Sequence, residues 1–137
     1  IKAMRIIINI LISAFLLLSA PSVLAADDSY DVFIPISKYI AAGDAESLSA
    51  WFADNLEISL LSSTSNSSKS QATQILKFFF EKHKPRSFSI NHTAAGQNSK
   101  YALGSLSSGG ESFMVTIFVS MCGQSYKIQQ LKIDYVR

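Results

Sequence analysis

Two histidines, one cysteine and ten carboxylates are the side chains from which this 137-residue chain would have to build acid–base, nucleophilic or metal chemistry. They do not cluster in the sequence. His83 stands in Lys82-His83-Lys84, His92 ends Phe88-Ser-Ile-Asn-His92, and Cys122 is far from both. One thiol and two isolated imidazoles cannot complete a structural zinc site, so no metal is expected. There is no glycine-rich phosphate loop, no Ser/His/Asp arrangement and no cofactor motif. Asp44, Asp54, Glu57, Glu81, Glu111 and Asp134 fall mostly at helix caps, strand ends or polar strand phases. A strand histidine such as His92 thus lacks an evident carboxylate to orient it, and reads as a hydrogen-bonded structural residue before a general base. No catalytic residue is assigned, and an enzyme is the weakest of the readings considered. Cys122 cannot form an internal disulfide. At the end of an apolar strand it is expected as a small buried thiol, with intermolecular pairing or a reactive thiol as the alternatives and no cationic neighbour to activate it.

The N-terminus says where such a chain works. Lys2 and Arg5 precede an apolar run from Ile6 to Leu18, and Ser19-Ala-Pro-Ser-Val-Leu-Ala25 follows with small residues and a helix breaker. A basic start, a short apolar core and a Val23-x-Ala25 cleavage site describe a secretory signal peptide over residues 1–25, with Met4 as the expected initiator. The apolar core is about 13 residues against the ~20 needed to span a bilayer, so no stable membrane span is expected after cleavage. Setting Lys2 and Arg5 aside takes the twelve basic residues to ten, against ten acidic ones. A neutral mature chain argues against a nucleic-acid partner and against attachment to anionic lipid. Residues 26–137, roughly 110, suffice for one domain with one core. The protein is expected to be exported, to the periplasm or out of the cell.

The elements that must position any site can be read from periodicity. Val32, Phe33, Ile36, Tyr39 and Ile40 recur at helical spacing, and Gly43 ends that run as a C-terminal cap. Asp44 caps a second helix, in which Leu48, Trp51 and Phe52 share a face. Leu56 to Leu61 suits a short strand, and Ser62 to Ser70 reads as a mobile surface loop with nothing to bury. Ser70 is expected to cap a third helix, Gln71 to about His83, with Ala72, Ile75, Leu76, Phe79 and His83 in one stripe. Phe78 and Phe80 widen that stripe, so the helix should be covered over most of its circumference, with Lys82-His83-Lys84 as a solvated end. Strands follow at Ser87–Thr93, with Phe88, Ile90 and His92 on one face, and at Tyr101–Leu106. Glu111 to Val136 then forms a long hairpin. In its first strand Phe113, Val115, Ile117, Val119 and Met121 share an apolar face. The second slips phase between Ile128 and Leu131, which predicts a β-bulge at Gln129-Gln130.

The order α-α-β-α-β-β-β-β resembles the nuclear-transport-factor-2-like (cystatin-like, cone-shaped) superfamily. Several stretches narrow this: Ile40-Ala-Ala-Gly-Asp with Leu48, Gln71-Ala72 before Ile75-Leu-Lys-Phe-Phe-Phe, and Pro85 with Phe88-Ser-Ile-Asn-His92. Tyr101-Ala-Leu-Gly-Ser-Leu106 and Tyr126-Lys-Ile-Gln-Gln-Leu-Lys-Ile complete them. In these the chain resembles the domain of unknown function 4783 family of short exported bacterial proteins, found mostly in Bacteroidetes. The long serine stretch and Thr93-Ala-Ala-Gly96 depart from the pattern and would reshape loops at the rim of the cone. The resemblance implies an α+β cone, with three N-terminal helices packed on one face of a curved, mostly antiparallel sheet. It implies no activity and no cofactor. A cone of this kind has a pocket between sheet and helices, for which Tyr39, Trp51, Phe79, His92 and Tyr101 are the candidates. Met114, Thr116 and Phe118 lie on the half-apolar opposite face of the central strand, which needs a cover such as a second copy in a homodimer.

Three functions are compatible with this reading. The first is a binding module for a small apolar ligand or an envelope-protein partner, in or around the cone pocket. The second is a structural or assembly protein with a filled cone, and the third a small isomerase- or cyclase-like enzyme. Secretion of the full sequence from a bacterial host, followed by intact-mass analysis, is expected to give a chain beginning at Ala26. Recovery of the unprocessed chain in the membrane fraction would show an anchor instead.

Overall fold

The alternation of apolar and polar residues along the C-terminal hairpin organises everything around it. In the computed structural model, which describes residues 32–136, Phe113, Val115, Ile117 and Val119 of β5 (Glu111–Cys122) are fully buried. They are also central in the sheet. Strand order is β2-β1-β6-β5-β4-β3, where β1 is Phe52–Leu60, β2 Ser63–Ser68, β3 Ser87–Ala95, β4 Ser99–Ser108 and β6 Ser125–Tyr135. Neighbouring strands are antiparallel except for β1 with β6, which run parallel. The sheet is therefore mixed, and long enough that it must twist and curl.

Two bulges set its curvature. On β6, Ile128 pairs with Val119 while Gln130 pairs with Phe118, leaving Gln129 as the extra residue. The bulge expected at Gln129-Gln130 is present, and it turns Ile128, Leu131 and Ile133 all inward, each at most 1% exposed. On β3, Ile90 pairs with Gly104 and His92 with Leu103, so Asn91 is the extra residue. That bulge reverses one expectation. Phe88 and Ile90 remain on the inner face, but His92 is switched to the outer face and exposed.

Among the described residues three helices flank the sheet: α1 (Phe33–Ala42), α2 (Ala45–Ser49) and α3 (Lys69–Lys82). They are not three consecutive N-terminal helices, because the β1–β2 hairpin separates α2 from α3. The serine stretch read as a loop is strand β2, paired with β1 from Asn55↔Ser68 to Leu60↔Ser63. Its serines and Asn66 need no core, since an edge strand gains its hydrogen bonds from one neighbour and turns polar groups to water. The turn between these strands holds Leu61 and Ser62 at φ 51° and 74°, a primed two-residue hairpin made without glycine.

Local chemistry fixes the helix ends. Gly43, at φ 67°, closes α1, with its N–H bonded to the Ile40 carbonyl and that of Asp44 bonded to the Tyr39 carbonyl. This pair of bonds is the Schellman termination. Asp44 caps α2, its carboxylate accepting from the Ser47 hydroxyl at 2.7 Å and the Ser47 N–H at 3.0 Å. These bonds, the hydroxyl's first, hold the Asp44 carboxyl below the usual carboxylate range. The resulting stability is present at neutral pH and is lost as pH falls through that lowered value. Helix α2 is shorter than its periodicity suggested: Trp51 lies in the following turn, and Phe52 is the first residue of β1, 1% exposed. Ser68, not Ser70, caps α3 through a reciprocal capping box with Gln71. Ala72, Leu76, Phe79 and Phe80 are buried, but Phe78 is 65% exposed and Ile75 36%, so only one side of α3 is covered.

The inner face is filled as a ladder of rows. Thr93, Ala102, Ile117, Leu131 and Ile58 form one, and Ile90, Gly104, Val115, Ile133 and Leu60 the next. Full burial of each large aliphatic or aromatic side chain contributes ~1.5–3 kcal/mol. Gly104 makes room for Phe88, whose ring occupies the space beside it. A Cβ there would lie 2.5 Å from Phe88 Cζ and 2.7 Å from the Ser89 carbonyl oxygen. Gly104→Ala is therefore expected to lower stability by ~1–3 kcal/mol, read as a shift in the urea-denaturation midpoint. An unchanged midpoint would mean that Phe88 swings away without cost.

Candidate functional site

The sequence-derived candidates divide between the two faces of the sheet. Phe79 is in the core, its ring 5.5 Å from that of Phe113 and 6.0 Å from that of Phe80. Tyr39, on α1, and Trp51, in the turn before β1, are half-buried. The Trp51 carbonyl accepts the Ile128 N–H. His92 and Tyr101 lie on the opposite, outer face, so the structure does not gather the five into one pocket. Tyr101 instead stacks on Phe118, with ring centroids 4.9 Å apart.

That outer face is where candidates converge. Cross-strand register places His92, Leu103, Thr116, Lys132, Ser59 and Thr64 in one row. The adjacent row holds Ala94, Tyr101, Phe118, Gln130, Glu57 and Asn66, and a third holds Ser89, Ser105, Met114 and Asp134. The face is split by chemistry. Over β3, β4 and β5 it presents His92, Tyr101, Leu103, Phe118 and Met114. Over β6, β1 and β2 it is polar and internally bonded: Gln130 donates to Glu57, Thr64 to Ser59 at 3.0 Å, and Lys132 lies 4.0 Å from Asp134. Met114 is 51% exposed and Tyr101 44%, high values for large side chains on central strands. A groove of ≈450 Å³ crosses the far end of this face, lined by Leu61, Met114, Thr116, Lys132, Asp134 and Tyr135. The left-handed Leu61-Ser62 turn borders it.

A second arrangement was not legible in the sequence. His83, read as part of a solvated end, is the C-cap of α3, and its side chain is only 16% exposed. Its ring lies 4.9 Å from that of Phe79 and 5.3 Å from that of Phe113. Nδ1 is 2.8 Å from Glu111 Oε1. Here an imidazole does have a carboxylate to orient it, supplied by a residue 28 positions away, a separation no local pattern reveals. Glu111 opens β5, so the pair ties the end of α3 to the start of the central strand. Cys122 also differs from expectation. It is exposed, because β5 outruns the core before the turn to β6, and its Sγ accepts from Gln129 Nε2 at 3.1 Å. Among the described residues no three metal-ligating side chains come together, and no helix is long and apolar enough to cross a membrane.

Comparison with known proteins bears on this geometry. The family model for domain of unknown function (DUF4783) matches residues 33–134. Among solved structures, a DUF4783 family protein from Bacteroides ovatus is similar at a TM-score of 0.73 and 25% identity, over 75% of this chain and 94% of that one. A second, from Bacteroides uniformis, has a TM-score of 0.75 at 24% identity, over 77% and 98%. A nuclear-transport-factor-2-like protein of unknown function from Silicibacter pomeroyi shares the fold at a TM-score of 0.59 and 12% identity, over 86% and 99%. No curated protein matches the chain.

The His83–Glu111 link gives a measurable expectation. With the Glu111 side chain 44% exposed, solvent screens the pair. A double-mutant cycle of His83→Ala and Glu111→Ala is expected to give a coupling of ~0.2–1 kcal/mol. The His83 substitution alone should cost more, through lost packing against Phe79 and Phe113. A coupling of zero in urea denaturation would show that the two side chains do not meet in solution.

Proposed function

The chain belongs to the DUF4783 family, and on that premise we propose that it is an exported interaction module that associates with a second copy of itself through the outer face of its sheet. One observation carries the reading. On β5 the inward side chains Phe113, Val115, Ile117 and Val119 are fully buried, while the opposite face of the same strand presents Met114 and Phe118, the latter stacked on Tyr101 of β4. Apolar and aromatic side chains on a central strand gain little from water, and a partner that covers them contributes the burial they lack. A second copy suits the charges as well. Lys132 and Asp134 stand on the same face, so a two-fold arrangement can set each against its opposite in the partner. The neutral mature composition favours a protein surface over nucleic acid or anionic lipid. Export rests on the signal-like pattern of residues 1–25, which lie outside the described residues, as does the assignment of residues 26–31 to the mature domain.

The reading is closest to an assembly protein with a filled cone. The ≈450 Å³ groove beside Met114, lined by Thr116, Lys132 and Asp134 as well as Leu61, favours a second one, a small ligand with both polar and apolar groups or an envelope-protein segment held at the rim of the same face. Native mass spectrometry separates the two, because a ligand adds mass to each subunit and a second copy doubles it. Light scattering of the purified protein is expected to show a dimer. Combining Phe118→Lys with Met114→Lys should yield a folded monomer, since losing two such contacts costs ~2 kcal/mol or more, a roughly 30-fold weakening. A wild-type monomer at high concentration, or a variant that remains dimeric, would refute the outer face as the interface.

A further inference from the structure

Lys100 stands where the fold calls for an apolar residue. Cross-strand register sets it on the inner face, in a row with Ala95, Val119, Ile128 and Phe52. Val119, Ile128 and Phe52 are at most 1% exposed, and Lys100 itself is 7% exposed. Its Nζ is buried and, among the described residues, has no hydrogen-bond partner. Among the described residues none of the ion pairs includes it. The ammonium lies over the ring of Tyr126, whose centroid is 4.8 Å from Nζ. A cation–π contact returns part of what desolvation removes, but it fills none of the three donor positions of an ammonium. Lysines near a strand end ordinarily carry their head group out to water. This one begins β4, only one residue from its first position, and its head group stays covered. For packing alone, methionine or leucine would serve this row better.

The surroundings define what would complete it. Lys127, the other basic residue at this end of β6, is already committed, donating to the Ala50 carbonyl at 2.9 Å. It belongs to the opposite phase of the strand, paired with Ser120. Lys100 therefore presents a single positive charge in an apolar frame, which suits a single negative charge. A dianion would bury an excess charge with no second cation to meet it. Beyond the row lie Tyr126 and its cross-strand partner Met121, which is 38% exposed and offers an apolar path outward.

We propose that Lys100 and Tyr126 form a binding site for a monocarboxylate bearing an apolar chain. The carboxylate accepts hydrogen bonds from Nζ, and the chain runs over Tyr126 and Met121. The site is on the face of the sheet opposite the one proposed for self-association, so each can fail without the other.

Calorimetry and thermal melts of the purified protein test it, with octanoate, 1-octanol and inorganic phosphate as probes. Octanoate is expected to bind saturably and raise Tm, with octanol and phosphate at least tenfold weaker. Lys100→Met should raise the Tm of the unliganded protein, since it removes an unpartnered buried ammonium, and should weaken octanoate binding at least tenfold. Equal binding of octanoate and octanol, tighter binding of phosphate, or no octanoate binding would each overturn the proposal. So would a Lys100→Met protein that melts lower and binds octanoate unchanged. Should that variant not fold, the octanoate-against-octanol comparison on the wild-type protein decides the matter by itself.

Discussion

The extra residue at Gln129 is the constraint on which the sheet depends. Side chains alternate faces along a strand, so without it either Ile128 or the pair Leu131 and Ile133 would face water. Each misplaced side chain would forfeit ~1.5–3 kcal/mol of burial, a large part of the few kcal/mol by which a domain of this size is stable. The bulge keeps all three inward against Val119, Ile117 and Val115. It also coincides with the irregularity in the parallel pairing of β1 with β6, where Phe52 pairs with Ile128 and the next paired residue is Glu57, opposite Gln130. The strand that carries the core thus also sets where β1 enters the sheet, and through it where α3 begins.

A sheet covered by helices on one side has two unequal faces, and this protein treats them differently. The inner face is filled row by row, down to a glycine at position 104 that leaves room for the Phe88 ring. The outer face is left half apolar, and its polar half is internally bonded through Gln130–Glu57 and Thr64–Ser59. The one oriented imidazole, His83 on Glu111, is wedged between two phenylalanine rings at the junction of α3 and β5 and acts as a tie between elements. Lys100 is the exception to the logic of the inner face, a charged head group in an otherwise apolar row.

How much could be read in advance depended on how local the determining interaction was. Gly43 and Asp44 were legible as a helix stop and a helix cap because both work through atoms a few residues away. The Gln129 bulge was legible because a phase slip is visible along a single strand. The serine strand β2 was not, since its residues carry no apolar signal and are held by the hydrogen-bonding edge of β1. Trp51 and Phe52 fitted a helical spacing with Leu48, but pairing of Phe52 with Ile128 starts β1 at Phe52 and leaves Trp51 in the turn before it. Lys100 could have been flagged, because it continues the inner phase of Ala102, Gly104 and Leu106, had β4 been read as starting before Tyr101.

By itself, then, the sequence determined the α+β class, the stop at Gly43 and the cap at Asp44, the inner face of β5 and the change of phase in β6. Each follows from the period of the backbone or from bonds spanning a few residues. Tertiary structure decided which side of the sheet His92 and Tyr101 occupy, that Glu111 meets His83, that Cys122 is exposed, and that Lys100 is buried without a partner among the described residues. Those outcomes turn on the register between strands and on the Asn91 bulge. Both are settled by the pairing of distant segments, for which no single stretch of chain carries the information.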